Sequence, residues 1–268
     1  MADRKKYFLL DTDFCIKSVK IADGTSKLID LLMDISDCEF CCHEKTLLEI
    51  SDHDDDNDTA QRWLENQISA GKIHLYSDRK ILDELDTIYG DLKYMAYCTY
   101  LKNACEAYDS SYYENHFASL SDFTENSNEA AFLSELSVCE NAIGQSKSLG
   151  EKKSAVLLQM LQFLYPDQVF VFCSDDSGAR RGFTGFGDIK CISILSAFVV
   201  LKDLGFSKNA LEQYFVSYEN LCGMTNQVIF KVWNKKMNEK RKIPCREVFD
   251  GIFRNEYEVL QNGDLKFK

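Results

Sequence analysis

Proline is nearly absent: Pro166 and Pro244 are the only two in 268 residues. That excludes a proline-rich linker and leaves long helices free to form. Histidine is scarce too, four residues with none paired, which gives no footing for a histidine-centred hydrolase. Neither common type of glycine-rich phosphate loop occurs. The strongest apolar run, Cys191 to Leu201, is too short to span a bilayer, so no membrane partner is expected. The opening residues MADRKKYF hold no apolar stretch of signal-peptide length. The eleven cysteines are therefore expected as thiols in a reducing cytoplasm.

Positive charge is also in deficit. A net charge of −12 argues against a protein that coats nucleic acid, because neutralising phosphate needs local cations. It leaves room for a local basic patch or for an acidic pocket that holds cations. What is present is a 45% hydrophobic, 28% charged chain, enough for one large domain or one domain with an insertion.

Tyr7 to Leu10 reads as a short buried strand, followed by helical spacing from Phe14 to Ile35 that is interrupted near Gly24. CEFCCH (38–43) is a second strand candidate, with the short helix EKTLLEI behind it. A helix stopping at Gly71 precedes a third strand, IHLYS (73–77). VFVFCSDD (169–176) and DIKCISI (188–194) supply a fourth and fifth. Apolar strands alternating with helices predict an α/β fold, a parallel sheet of about five strands covered on both faces. The tyrosine-rich stretch 78–147 reads as a helical insertion within residues 1–205. Residues 206–268 read as a helical C-terminal extension whose LQNGDLKFK tail suggests a small hairpin.

Two strands end alike, in FLLDTD and VFCSDD. The C-terminal ends of parallel strands share one edge, where ligands bind. Asp11, Asp13, Asp175 and Asp176 are therefore expected to converge. Carboxylates so crowded repel one another unless a cation such as Mg²⁺ or Mn²⁺ lies between them. The competing reading is that each aspartate caps the helix that follows. Glu49 and Glu151 carry the same ambiguity, since Thr46 to Glu49 and Ser148 to Glu151 both match a capping box.

YFLLDTDFCI, then Glu49 after a short strand, then LGEKKSAVLL, then VFCSDDSGARR resembles the PIN domain family of metal-dependent nucleases. The matching positions are Asp11, Glu49, Glu151 and Asp175, with Asp176 as the neighbouring choice and Thr12 as the small hydroxyl residue after the first acid. The resemblance covers residues 7 to 205 discontinuously; the insertion departs from the family's compact members, such as toxin–antitoxin endoribonucleases. It implies a three-layer fold and endoribonuclease-like hydrolysis of phosphodiester bonds, with single-stranded RNA as partner and Mg²⁺ or Mn²⁺ as cofactor. By that resemblance Asp11 and Asp175 (or Asp176) are metal ligands, Glu151 a direct or water-mediated one, and Glu49 an outer partner or water-orienting base.

Two other classes compete. DTD also resembles the first motif of haloacid dehalogenase-type phosphatases, with Asp11 as nucleophile and Lys147 or Lys152 as the lysine, although Cys15 stands where that motif usually has Thr or Val. A non-catalytic RNA-binding or scaffold protein on the same fold is the other. The insertion is then a surface for a protein partner or inhibitor, and a homo-oligomer remains open. Arg180 and Arg181 are candidate phosphate contacts, or the solvated end of a helix. The dense basic segment is Lys231 to Lys242, six basic residues with one acid; Lys231, Lys235 and Lys236 are candidate backbone contacts and Trp233 a base-stacking one. Its bland reading is a solvated amphipathic helix face. DHDDDND (52–58) lacks the glycine and glutamate of a calcium loop. Cys38, Cys41, Cys42 and His43 lack a second cysteine pair for zinc.

Overall fold

In a computed structural model, residues 4–52, 58–124, 127–143, 149–222, 229–234 and 240–268 are described. Five parallel strands form the central sheet: β1 (Lys6–Leu10), β2 (Cys38–His43), β3 (Ile73–Tyr76), β4 (Val169–Cys173) and β5 (Lys190–Ile192). Their order is β3-β2-β1-β4-β5. The chain winds outward from β1 to β3 and then returns to the other side of β1. The ends of β1 and β4 therefore flank the point where the winding direction reverses, the usual place for a ligand crevice.

Strand side chains alternate between two cores. Phe8, Leu10, Phe40, Cys42, Val171, Cys173 and Ile192 face one; Leu9, Cys41, Phe170, Phe172 and Cys191 face the other. Both faces are apolar because both are covered, which makes three layers. The first core is closed by α1 (Thr12–Lys20), α2 (Leu28–Met33), α4 (Asp58–Ser69), α11 (Ile194–Asp203), α12 (Lys208–Leu221) and α13 (Cys245–Phe253). Between β2 and α4 runs α3 (Glu44–Asp52). Cys41 and Cys42 belong to opposite cores, so one zinc ion cannot take both. The DHDDDND stretch lies mostly outside the described residues.

The second core is closed by α5 (Asp78–Tyr89), α6 (Lys93–Glu106), α7 (Tyr112–His116), α8 (Glu129–Ile143), α9 (Leu149–Leu164) and α10 (Ser177–Phe183). The described part of residues 78–143 is thus helices joined by short turns, with no strand among the described residues, as the sequence predicts. One buried ion network pins this insertion to α9. Lys153 on α9 is fully buried and donates to both Asp78 oxygens at 2.9 Å, with Glu140 Oε1 2.6 Å away. Tyr97 donates to Asp78, and His43 Nε2 lies 3.2 Å from it. Burial alone would raise the Asp78 carboxyl, but the Lys153 ammonium and then His43 hold it well below the usual carboxylate range.

Residues 206–268 depart from the helical extension the sequence suggests. Beside α12 and α13 stands a second sheet of β6 (Ile229–Trp233), β7 (Lys240–Pro244), β8 (Tyr257–Val259) and β9 (Leu265–Phe267), ordered β7-β6-β9-β8. The basic segment is a hairpin, not a helix face: IFKVW and KRKIP pair antiparallel. Neither strand shows a clean two-residue alternation of apolar and polar side chains, so the charge count dominates the sequence pattern. The tail hairpin is as expected, β8 pairing with β9. Among the described residues no helix is long and apolar enough to cross a membrane.

Replacing Lys153 with Met removes the ammonium between two buried carboxylates, leaving Glu140 with Lys45 and Asp78 with His43 and Tyr97, and is expected to cost about 3–5 kcal/mol in urea denaturation; a loss under about 1 kcal/mol would refute the network's role. Asp78 titrates lower folded than unfolded. Its contribution is therefore complete above the unfolded value near about 3.9 and fades as pH falls toward the folded one. Lys153→Met should accordingly flatten the acid limb of the stability profile.

Candidate functional site

Asp11 follows β1 and Ser174 follows β4, and the backbone N–H of Asp11 donates to the Cys173 carbonyl at 3.0 Å. Asp11 occupies the N-cap position of α1 but makes no side-chain capping bond. Its carboxyl is 6% exposed. Burial, then Asp13, then Glu151 raise it well above the usual carboxylate range, while a hydrogen bond from Ser174 works the other way. Capping therefore does not account for Asp11.

The Ser174 hydroxyl joins the two strand ends. It donates to Asp13 Oδ1 at 3.3 Å and accepts from the Asp176 N–H at 3.1 Å. Asp13 Oδ1 also accepts from the Asp175 N–H at 3.0 Å. Glu49, from α3, reaches the same place: Thr12 Oγ1 donates to its Oε2 at 2.6 Å and the Gly150 N–H to its Oε1 at 3.1 Å. A Cβ at Gly150 would meet that carboxylate at 2.6–2.9 Å, so a larger residue there would displace Glu49 from this position. The capping box expected from Thr46 and Glu49 does not form, because Thr46 donates instead to the Leu10 carbonyl at 3.4 Å. Glu151, in the first turn of α9, is raised by burial and by Glu49 and Asp176. Ser148 lies outside the described residues.

The two acids after β4 part company. Asp175 turns away: Lys17 donates to its Oδ2 at 2.6 Å and the Ile194 N–H to its Oδ1 at 3.2 Å. Its carboxylate joins α1 to the start of α11. Asp176 caps α10 by accepting from the Gly178 N–H, and it shares the electrostatic environment of Glu151 and Tyr108. Of the pair, Asp176 belongs to the crevice side.

Arg180 fits neither reading, whereas Arg181 fits the solvated end of a helix. Arg180 is 4% exposed, and its guanidinium donates to Ser174 O at 2.8 Å, Asn262 O at 2.8 Å and Asp264 Oδ1 at 3.1 Å. It is a buried clamp on the loop that carries the acids, not a phosphate contact. Arg181 is exposed and donates to the Ser177 carbonyl at 3.1 Å. Trp233 donates to Asp264 Oδ2 at 3.1 Å. Lys231 lies on β6, and Lys235 and Lys236 fall outside the described residues.

Three contributors escape a reading by motifs. Ser174 sits inside CSDD and could have been read from it. Lys17 stands four residues after Asp13 on α1, an i, i+4 signal. Tyr108 carried no signal at all. It reaches in from the insertion, donates to the Ala179 carbonyl at 3.2 Å and packs against Gly182. Burial, then Glu151 and Asp11, raise its hydroxyl. A cavity of about 620 Å³ opens in the insertion beside Met95, Leu120 and Phe123, but none of the acids lines it.

The donor set is all oxygen, which suits a hard divalent cation. No three of these carboxylates bring one oxygen each within 4.8 Å of one another. Magnesium does not need that, because it is commonly held by one or two carboxylates with water completing the shell. Among the described residues only His43, Glu44 and Asp78 converge so closely. There the Lys153 ammonium already sits on Asp78, so that group is the ion network and not a second metal centre.

Asp11 supplies a pH test. An acid raised in the folded state leaves stability intact below its unfolded value, near about 3.9, and costs stability as pH climbs toward the folded one. In chelator at pH 7, Asp11→Asn should raise the Tm by about 2 °C or more, the shift about 1 kcal/mol gives a chain of this size. The advantage should shrink toward pH 4, and thermal melts across that range showing no gain at pH 7 would refute the crowding. No family model, curated protein or solved structure matches this chain.

Proposed function

We propose that the protein is a divalent-metal-dependent nuclease of PIN-like type that hydrolyses single-stranded RNA. The observation that carries this reading is the gathering of Asp11, Glu49, Glu151 and Asp176 around the β1–β4 crevice, from four parts of the chain. Asp11, Glu151 and Asp176 would hold Mg²⁺ or Mn²⁺, directly or through water. A bound ion of this kind supplies Lewis-acid polarisation of the phosphodiester and a more acidic water.

The chain's own residues divide the remaining work. Thr12 and the Gly150 N–H fix both Glu49 oxygens, leaving each a further lone pair to orient water. Ser174 sets the spacing of Asp11, Asp13 and the Asp176 backbone. Lys17, with its side chain 38% exposed, brings a cation to the crevice edge, within reach of a phosphate after a small movement from Asp175. Tyr108 walls the side toward the insertion.

The arrangement gives less to a phosphatase reading. That chemistry needs a lysine beside the phosphoryl group, but Lys152 lies 3.8 Å over the Tyr112 ring and Lys153 is consumed by Asp78 and Glu140. Lys147 lies outside the described residues.

Cleavage of a labelled oligouridylate by purified protein should appear with Mn²⁺ and vanish with chelator. Asp11→Asn, Glu151→Gln and Asp176→Asn should each lower the rate by about 10²-fold or more. Asp175→Asn should act mainly on stability. Metal-independent cleavage, or full activity in Asp11→Asn, overturns the proposal.

A further inference from the structure

The outer face of the C-terminal sheet concentrates positive charge in a chain whose net charge is −12. In the β6–β7 ladder Lys231 stands opposite Lys242 and Trp233 opposite Lys240, and Trp233 also pairs with Lys266 of β9. Side chains on a strand alternate faces, so these five positions share one face. Ile243, Leu265 and Tyr257 hold the other face against α13 and the first core, each 6% exposed or less. Of the side chains described on that face, Trp233, Lys242 and Lys266 are partly or fully exposed, with Glu258 as the acid beside Lys266 at 3.3 Å.

Like charges at facing ladder positions repel, and the register sets Lys231 opposite Lys242. A polyanion laid along the face removes that repulsion. The half-exposed Trp233 adds a ring on which a base can stack. An acidic protein would meet the lysines but would not use the ring in this way.

The face is also wired to the crevice. Trp233 Nε1 donates to Asp264 Oδ2, Arg180 Nη2 donates to Asp264 Oδ1, and Arg180 Nη1 donates to the Ser174 carbonyl, over distances of 3.1, 3.1 and 2.8 Å. Gly263 makes this possible: its φ is +76°, and a Cβ there would strike the Arg180 side chain at 3.1 Å. The β8–β9 turn therefore holds the basic face at a fixed distance from the loop that carries Asp176.

We propose that the face of the C-terminal sheet that carries Trp233, Lys242 and Lys266 is a platform that binds the sugar–phosphate backbone of single-stranded RNA and delivers the strand to the acidic crevice. The delivery step rests on the nuclease reading; the binding step does not.

The test is fluorescence anisotropy of a labelled oligouridylate of about 15 nucleotides, in chelator so that nothing is cleaved. Wild type should bind with a strong salt dependence. The double variant Lys242→Gln, Lys266→Gln should bind about tenfold more weakly, with its logarithmic salt slope reduced by about 1.4, two lysines at about 0.7 each. Tryptophan emission should be quenched on binding and the quench lost in Trp233→Phe, since Trp63 is only 7% exposed. No RNA binding by wild type, equal affinity and salt slope in the double variant, or tighter binding of polyglutamate than of oligouridylate would each overturn the platform. Intact salt-dependent binding without Mn²⁺-dependent cleavage would uphold the platform and overturn the nuclease reading.

Discussion

The pairing of β1 with β4, Leu10 beside Cys173, is the constraint on which the site depends. Two apolar strands about 160 residues apart in the chain are locked in parallel because each has an apolar partner layer on both faces. Parallel pairing puts both C-terminal ends on one edge. The residues that follow, Asp11 to Asp13 and Ser174 to Asp176, then have to share a crevice. The cost of bringing acids together is met by the burial of the strands and not by the acids themselves.

Negative charge is handled in three distinct ways around that edge. Asp78 and Glu140 are buried against a dedicated lysine, Lys153, and make a structural junction. Asp175 is half-resolved by Lys17 and by the start of α11. Asp11 and Glu151 are crowded by burial and by neighbouring acids of the crevice, with Lys152 acting the other way on Glu151, and both hold their protons more tightly. Identical side-chain chemistry thus yields a staple, a tether and a candidate ligand set, decided by which cation the fold brings near.

The two additions to the central sheet have different relations to it. The insertion is bolted to α9 through Lys153, two residues beyond Glu151, and it sends Tyr108 across to Ala179 and Gly182. It is a wall of the crevice as well as a helical layer. The C-terminal segment shares the first core through Tyr257 and Leu265 and grips Arg180 with its last turn. Neither is an appendage.

The sequence alone determined the five central strands, the helical nature of the insertion, the terminal hairpin and, as a possible set, the acids Asp11, Glu49, Glu151 and Asp175 with Asp176 as the neighbouring choice. Those features are written in short-range patterns: apolar runs of strand length, turn residues and acids at strand ends. Only the tertiary structure distinguishes the surroundings of Asp175 from those of Asp176, because the partner of Asp175 is Lys17 on a helix 158 residues away. It alone turned Arg180 from a surface cation into a buried clamp and the basic segment from helix to hairpin. For Arg180 the deciding partners, Asn262 and Asp264, come from the far end of the chain, and for the basic hairpin β9 adds a pairing from there to the local β6–β7 ladder. Local periodicity records which face a residue prefers, but long-range pairing chooses its neighbours, and charge takes its meaning from neighbours.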